Sequence, residues 1–450
     1  MSIPELYRLS ASEALELIKA NQITVEDYVK SLIKRIEERD AVVKAWAYFD
    51  PERALQQARA LDALPHGQRG PLHGLPVGVK DIILTRDMPT CYNSPAFAST
   101  VPIAMDAAPV MTLRAAGALL LGKTTTTEFA TCQHGPLTTN PHDSTRTPGG
   151  SSSGSGAAVG DFQVPVSLGS QTGGSTIRPG SFNGIFALKP TWNSISREGL
   201  KICTLAFHSL TCDTLGLYAR SIADLKLLAE VFRLEDDVSP PAEPLPLKGA
   251  KFGFYKTHVW PCATQGTQDA WEKAKELLKE EGAEVEELDL PEFDEVRHLY
   301  PYILAGEGRT AFLGDYLTHP DKLDPLILSH VKNTTHVTRA QQLEAYDKIA
   351  ALRPKMDAIA ARYDALITPS VPGEAPVLEE PLRFTGDPSF NLMWTVLQLP
   401  VLNVPGFKGP SGCPVGLSLV TPRYHEQKLL RVGEAVGRVW GERGGWKSAL

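Results

Sequence analysis

The chain has 450 residues, of which 42% are hydrophobic and 22% charged, a balance typical of an ordinary globular protein rather than a disordered or fibrous one. A formal net charge of −7 provides no general attraction to nucleic acid or to anionic lipid, so neither is expected as a partner. The first residues lack the pattern of a signal peptide, and no apolar run approaches the roughly 18 residues of a membrane span, so we expect a cytoplasmic protein.

Residues 1–65 are predicted to form an outer layer of two or three amphipathic helices. Thr24 is a favourable N-cap for one of them. The apolar residues that follow it recur at helical spacing, namely Val25, Tyr28, Val29, Leu32, Ile33 and Ile36.

Residues 66–235 alternate short apolar strands with helices, and we interpret them as the catalytic core. Strands are predicted at LPVGVK, ALLLG, VPVSLGS and IFALKP, with a helix near residues 108–117. Such alternation indicates an α/β sheet with helices on both faces.

Residues 236–362 are predicted as an α/β and helical insertion, and residues 363–450 as a return to the core. The insertion contains predicted strands at KFGFY and AEVEELDL, a helix over residues 268–281, and helices from about residue 295 to 362. The return contains predicted strands at YDALITP and VLNVP. The run PPAEPLPLKG is typical of a linker but is as short as a surface loop, so we predict one domain over residues 1–450.

The residue types that most often bind metals show no metal-site spacing. The six cysteines contain no CxxC pair and are expected to be reduced and mostly buried, and the eleven histidines contain no HExxH motif. No metal site is therefore predicted. The cysteines are Cys91, Cys132, Cys203, Cys212, Cys262 and Cys413.

Two segments are rich in glycine and serine: TPGGSSSGSG at residues 147–156 and GSQTGGSTIRPGS at residues 169–181. A flexible linker would explain the first by composition, but predicted ordered elements adjoin it. It also lacks the lysine of a phosphate-binding loop and the GxGxxG spacing. Its GSSSG matches the letters of a nucleophile elbow, without the Asp and His context that such a site needs.

Ser175 is the candidate nucleophile, and Lys80 is the candidate base that would activate it. Ser175 follows Gly173 and Gly174, which allow successive N–H groups to turn inward as an oxyanion hole requires. Lys80 ends a predicted buried strand, where desolvation favours the neutral amine. The alternatives are a helix-capping serine in a tight turn and a solvent-directed lysine paired with Asp81.

Taken together, these segments resemble the amidase signature family. The family's lysine motif, serine-rich loop and nucleophile loop correspond to residues 78–81, 149–153 and 173–178, at the spacing expected of the family. Further similarity lies in GKTTTTEFA, TTNPHD, FALKPTWNSISREG, DTLGLYARSIAD, YDALITPSVPGEAP and CPVGLSLVTPRY. The resemblance implies a single large α/β domain with a central twisted mixed sheet covered by helices on both faces.

The resemblance also implies a Ser-cisSer-Lys triad that needs no cofactor and no metal. Ser175 would attack the carbonyl. Ser151, after a cis peptide bond, would relay the proton between Ser175 and Lys80 and deliver it to the leaving amine, and the acyl-enzyme would then be hydrolysed. The oxyanion hole would consist of the backbone amides of Thr172, Gly173, Gly174 and Ser175.

Supporting roles are implied for Gly150, Ser152, Gln171 and Arg178, and two of these residues depart from the commoner family pattern. Gln171 stands where many members have Asp, and Arg178 lies one position later than in many members. The segment PTCYNSPAF also replaces a commoner small-residue pattern, so this loop is expected to shape the pocket.

The predicted substrate pocket is apolar and aromatic, which suits aryl amides and aryl carbamates better than short charged amides. In this respect the chain resembles the family's aryl acylamidases and urethanases, while a primarily esterolytic activity also fits the triad. The predicted pocket residues are Tyr92, Gln133, Phe390, Asn391 and Trp394, of which Phe390 and Trp394 are equally compatible with the core.

Two other functions compete with a free-standing hydrolase. One is the glutaminase-like component of the tRNA-dependent amidotransferase, which works in a complex, although the middle region lacks the motifs associated with that component. The other is a non-catalytic binding role, against which the intact Lys80, Ser151 and Ser175 argue. The expected ligand is a small amide or carbamate, and a monomer and a homodimer both remain open.

Overall fold

Eleven strands form one mixed sheet in the computed structural model, which describes residues 3–200 and 209–450. The strands are β1 (Trp46–Phe49), β2 (Pro76–Lys80), β3 (Leu119–Thr124), β4 (Val166–Gln171), β5 (Phe186–Lys189), β6 (Thr214–Ala219), β7 (Lys251–Tyr255), β8 (Glu284–Leu288), β9 (Ala365–Pro369), β10 (Val401–Lys408) and β11 (Pro414–Val420).

Helices cover this sheet, and none of those in the described ranges is long and apolar enough to cross a membrane. They are α1 (Ala11–Lys19), α2 (Val25–Val43), α3 (Pro51–Asp62), α4 (Ala108–Ala115), α5 (Ser153–Gly160), α6 (Ile177–Phe182), α7 (Ile222–Val231), α8 (Gln265–Glu280), α9 (Val296–Ala311), α10 (Leu313–Thr318), α11 (Pro325–Lys332), α12 (Arg339–Ala360), α13 (Ser389–Val396) and α14 (Glu426–Arg443).

The order of the strands across the sheet is β1-β3-β2-β4-β6-β5-β10-β11-β9-β7-β8. β2 is parallel to β3 and β4, and β7 is parallel to β8 and β9, while the remaining neighbours are antiparallel. Strands from all four predicted segments join this one sheet. The predicted single α/β domain with a mixed sheet is therefore confirmed.

Successive side chains of a strand pack in separate hydrophobic cores on the two faces of the sheet. In β3, Leu120 packs in one core, whereas Leu119 and Leu121 pack in the core beneath the N-terminal helices. Because successive side chains of a strand point to opposite faces, a strand that is apolar at every position must be covered on both. This explains why the predicted apolar strands lie in the middle of the layers.

The N-terminal segment contains α1, α2 and α3 together with one strand. Thr24 caps α2 and accepts a hydrogen bond from the Asp27 N–H, which confirms the predicted N-cap. However, residues 46–49, expected to be helical, form the edge strand β1. A strand of four residues at the end of a sheet carries too short a pattern to be distinguished from a helix by periodicity.

Strands β6 and β11 were not predicted, and each contains a glycine. A Cβ at Gly216 would lie 2.1 Å from Thr176 Oγ1, and a Cβ at Gly416 would lie 2.2 Å from Asn403 Oδ1. These glycines therefore allow side chains to approach the strand closely. The same absence of a side chain weakens the alternating pattern by which a strand is found in a sequence.

The sheet topology brings the chemically interesting segments together. β2 ends at Lys80 and β4 ends at Gln171, directly before the Thr172–Ser175 loop. Since β2 and β4 are parallel neighbours, their carboxyl ends lie at the same edge of the sheet. Clefts at this edge are the usual ligand sites of α/β sheets.

We expect Leu120→Ala to lower the free energy of unfolding by about 2–5 kcal/mol, because it removes a fully buried side chain from β3, which pairs with a neighbour on each side. Denaturant unfolding followed by circular dichroism measures this change. Leu343→Ala is the matched control, since Leu343 is 60% exposed, and its effect should stay within about 0.5 kcal/mol. Equal effects of the two substitutions would contradict the assigned core.

Candidate active site

Lys80 is buried at the end of β2, with two serine hydroxyls as its hydrogen-bond partners. Its Nζ lies 2.7 Å from Ser151 Oγ and 2.8 Å from Ser170 Oγ. Burial lowers the pKa of Lys80 well below its usual value, Asp213 acts in the opposite direction, and Arg178 lowers the pKa further. The amine is therefore suited to be neutral and to accept a proton.

The serine-rich loop places Ser151 between this lysine and the cavity described below. The Gly150–Ser151 peptide bond is cis, as the family resemblance implies. The Ser151 carbonyl accepts hydrogen bonds from the N–H groups of Thr127 and Ser153, which fixes the peptide after it. A Cβ at Gly150 would lie 2.7 Å from Thr385 Cγ2, so the loop packs too closely there for another residue.

Three side-chain hydroxyls hold the carbonyl groups of the 172–175 loop. Tyr300 donates to the Thr172 carbonyl at 3.3 Å, Thr395 to the Gly173 carbonyl at 2.8 Å, and Tyr218 to the Ser175 carbonyl at 3.0 Å.

Among the described residues, the N–H groups of Gly173, Gly174 and Ser175 have no protein acceptor. All four residues of the Thr172–Ser175 loop line one cavity together with Ser151. Because they have no protein acceptor and belong to residues that line the cavity, these N–H groups are available to an oxyanion there.

Gln171 joins the end of β4 to the start of α6. Its Oε1 accepts hydrogen bonds from the N–H groups of Thr176 and Ile177 at 3.0 and 3.1 Å, and its Nε2 donates to Thr395 Oγ1 at 3.1 Å. A neutral amide has both an acceptor and a donor, whereas the Asp of many family members has acceptors only. Gln171 thus reaches the same threonine that holds Gly173.

Ser152 connects the serine-rich loop to β4 and does not line the cavity. Its Oγ accepts the Ser170 N–H and donates to the Ser170 carbonyl, at 3.2 Å in each case. The hydroxyl of Ser170 contacts Lys80, the candidate base. Ser152 therefore positions Lys80 indirectly, through Ser170.

Arg178 is buried against the cavity and only partly satisfied. Its Nη2 donates to the Gly150 carbonyl and, at 3.4 Å, to Thr385 Oγ1. Its Nε and Nη1 have no protein partner within residues 3–200 and 209–450. Burial lowers the pKa of Arg178 to about 10, with Asp387 opposing, so the guanidinium keeps its charge at neutral pH.

Asp213 is a supporting residue that the sequence analysis did not single out, although it begins the DTLGLYARSIAD motif. Its carboxylate accepts hydrogen bonds from the Thr172 hydroxyl and from the Ser209 N–H. Burial raises the pKa of Asp213 to about 6, and the hydrogen bonds from Thr172 and Ser209 act in the opposite direction. Asp213 therefore anchors the start of the oxyanion loop and places a negative charge near Lys80.

The cavity beside Ser175 has a volume of about 510 Å³, within the range of about 300–1,000 Å³ typical of small-molecule sites. Its wall combines the nucleophile loop with apolar side chains of α9, α11 and α13. Gln133 lies in this wall. No Asp or Glu lines it among the described residues. The apolar lining includes Tyr300, Tyr302, Leu304, Leu326 and Leu392.

Four other predicted pocket residues lie outside this wall, which corrects the expectation from the sequence. Tyr92 packs against Phe129. Pro388, directly before α13, and Leu392, on α13, line the cavity, whereas Phe390, Asn391 and Trp394 on the same helix are buried. Phe390 and Trp394 are each two positions from Leu392, and residues two apart point to different faces of a helix. Asn391 packs behind the loop, since its Nδ2 lies beside Gly174 and donates to the Ser370 carbonyl.

One group of potential metal ligands adjoins the cavity: Glu128, Cys132 and Asp324. Other hydrogen bonds already use these carboxylates. Glu128 accepts from Ser94 and from the Asp324 N–H, and Asp324 caps α11. Burial also raises the pKa of Cys132, which disfavours the thiolate that binds metals. The group thus connects the segment of Glu128 and Cys132 to the start of α11 through the hydrogen bond between Asp324 and Glu128. Cys203 lies outside the described residues.

A protein-family model described as Amidase matches residues 27–430. The chain belongs to the amidase family. Among similar structures, an amidase is 30% identical, with a TM-score of 0.84, and the match covers 96% of this chain and 99% of the other. A bacterial aryl acylamidase of the amidase signature enzymes has a TM-score of 0.81 over 96% and 97% of the two chains, at 20% identity, and so supports the fold alone.

Curated relatives of this amidase-family chain include the A component of the glutamyl-tRNA(Gln) amidotransferase of Chloroflexus aggregans. The two sequences are 32% identical over an alignment of 487 positions, which covers 97% of each protein. The same component from Acidothermus cellulolyticus is 31% identical over 98% of this chain and 96% of its own length. The chain therefore acts on C–N bonds as an amidase-family enzyme.

We expect Asp213→Asn to lower kcat by up to about 100-fold with little change in KM, because the oxyanion loop loses its anchor. Removing the carboxylate also removes the charge that raises the pKa of Lys80. The rising limb of the pH profile of kcat/KM should therefore move to lower pH. Steady-state kinetics across pH on an activated anilide measures both effects.

Asp321→Asn is the control for this substitution, since Asp321 is exposed. It should leave both the rate and the pH profile unchanged. A fall in kcat without movement of the pH profile would assign Asp213 a purely structural role.

Proposed function

We propose that this chain hydrolyses the C–N bond of neutral aryl amides and aryl carbamates through Ser175, Ser151 and Lys80. The observation that carries the proposal is the buried Lys80 amine, 2.7 Å from Ser151, next to a loop whose N–H groups are available to an oxyanion. A base, a relay and an oxyanion hole at one edge of the sheet are the parts that acyl transfer needs.

The proton moves through the two serines during the reaction. Neutral Lys80 accepts the proton of Ser151 as Ser151 accepts that of Ser175, and Ser175 Oγ attacks the carbonyl carbon. The N–H groups of the loop stabilise the tetrahedral oxyanion. Ser151 then delivers the proton to the leaving nitrogen, so that the C–N bond breaks and an acyl-enzyme remains. Water then gives a proton to Ser151 and Lys80 while its oxygen attacks the acyl carbon, the bond from that carbon to Ser175 breaks to release the acid, and the proton returns to Ser175.

The lining of the cavity supports an uncharged substrate with an apolar group. Tyr302, Leu304, Leu326 and Leu392 offer contacts to an aromatic ring. A substrate ammonium would find no carboxylate among the described lining residues. The Nε and Nη1 of Arg178 can donate to an oxygen of the substrate, such as the second oxygen of a carbamate.

A second candidate function is that of an amidotransferase component, which the 32% identity to the Chloroflexus aggregans protein favours. This function would require release of nitrogen from glutamine, whose ammonium needs an acidic partner. It would also require a partner for full activity. The two candidates therefore differ in what the purified chain does by itself.

The substrate test compares a p-nitroanilide, an N-(p-nitrophenyl) carbamate and glutamine as substrates of the purified chain. We expect turnover of the first two, lowered by about 10⁴-fold or more in Ser175→Ala, because the nucleophile is lost. Ser99→Ala, at an exposed serine, should match the wild type. Turnover of glutamine alone would favour the amidotransferase function, and carbamate turnover that survives in Ser175→Ala would refute the assigned nucleophile.

The pH test follows the protonation state of Lys80. Only the neutral amine accepts a proton, so kcat/KM should rise with pH through the lowered pKa of Lys80 and level off above it. Lys80→Ala should lose nearly as much activity as Ser175→Ala. The exposed Lys408 provides the control Lys408→Ala, which should keep the wild-type profile. Retention of most activity in Lys80→Ala would overturn the assignment of the base.

A further inference from the structure

A second cavity, of about 420 Å³, lies between α1, the 66–73 loop and α7. It shares no lining residue with the cavity beside Ser175. His73, in its wall, precedes β2, whereas Lys80 is the last residue of the same strand. The two cavities therefore adjoin opposite ends of β2.

The side chain of His73 is buried in the wall of this second cavity. It is only 5% exposed, and neither Nδ1 nor Nε2 contacts a protein donor or acceptor in the described part of the chain. The backbone around it is fixed, because the His73 N–H donates to the Gly70 carbonyl and the Gly74 N–H to the Gly117 carbonyl. A buried polar side chain that has no protein partner, on a fixed segment, indicates that a ligand or solvent supplies its hydrogen bonds.

Two basic side chains, Lys19 and Arg69, line the same cavity. Neither forms an ion pair across the described residues, and the Nε of Arg69 donates to the Leu64 carbonyl. His66 adds a third basic side chain, and Glu16 is the one acidic side chain among the described lining residues. The excess of basic groups favours a ligand with a negative charge.

The remaining wall of the cavity is apolar. Leu15 and Ile18 of α1, Pro71 of the loop and Leu227 of α7 contribute to it. A fully hydrated inorganic ion would gain nothing from these side chains, whereas a ring or a branched alkyl group would remove them from water. The combination of an apolar wall with basic groups selects an amphipathic anion.

We propose that this cavity is a binding site for a small organic carboxylate with an aromatic or branched aliphatic body. The carboxylate binds Arg69 and Lys19 and accepts a hydrogen bond from His73, and its apolar body packs against Leu15 and Leu227. If the proposed function holds, hydrolysis of an amide of such an acid releases a ligand of this class. The site itself does not depend on that reaction.

The probe for this site is benzoate, and isothermal titration calorimetry measures its binding to the full chain without turnover. His73→Phe keeps a ring of similar shape but removes both nitrogens, and Arg69→Gln removes the charge. We expect each variant to weaken benzoate binding by about tenfold or more, because each loses a charge-assisted contact. Arg59→Gln, on the exposed surface of α3, is the charge-matched control and should bind benzoate as the wild type does.

A crystal soak with 4-iodobenzoate locates the binding, since the iodine gives an anomalous signal. We expect a peak between α1 and the 66–73 loop, which His73→Phe abolishes. Equal benzoate affinity in all four proteins, or an iodine peak only beside Ser175, would overturn the proposal. Arg69→Gln keeps the test decisive if His73→Phe fails to fold, because Arg69 is only half-buried. Benzyl alcohol, which lacks the charge, should not bind at this site.

Discussion

The burial of Lys80 at the end of β2 is the constraint on which the rest of the site depends. Its amine is held by the hydroxyls of Ser151 and Ser170. A charged ammonium is unfavourable in such surroundings, so the fold favours the neutral amine that a proton relay needs. β2 lies between two parallel neighbours, which fixes the position of the amine relative to the loop after β4.

The oxyanion loop is held by parts of the chain that are far apart in sequence. Tyr218 comes from β6, Tyr300 from α9 and Thr395 from α13, and each donates to a carbonyl of the loop. Residues 236–362, which look like an insertion in the sequence, thus contribute directly to the site through α9. The geometry of the loop consequently depends on elements from three different parts of the chain.

The two cavities adjoin opposite ends of β2 and have different linings. At its carboxyl end, β2 places a buried base against hydroxyls, and the adjoining cavity has no described acidic lining. At its amino end, the turn before β2 buries a histidine whose ring nitrogens find no partner in the described part of the protein. Lys80 and His73 are both buried, so that neither has bulk water as a hydrogen-bond partner, but only Lys80 finds partners in the described part of the protein.

The sequence by itself determined the elements that depend on local pattern. The resemblance of the lysine motif and the two glycine-rich loops to the amidase signature family implied that Lys80, Ser151 and the 172–175 loop lie together, and continuous apolar runs predicted most of the buried strands. Only the tertiary structure decided what surrounds them. It selected Leu392 rather than Trp394 for the cavity wall, and it brought Asp213 to Thr172. The glycine and serine residues of a loop restrict its backbone geometry locally, so the sequence reveals them. A cavity wall consists of side chains from distant segments, and the packing of each helix decides which of its side chains point into the cavity.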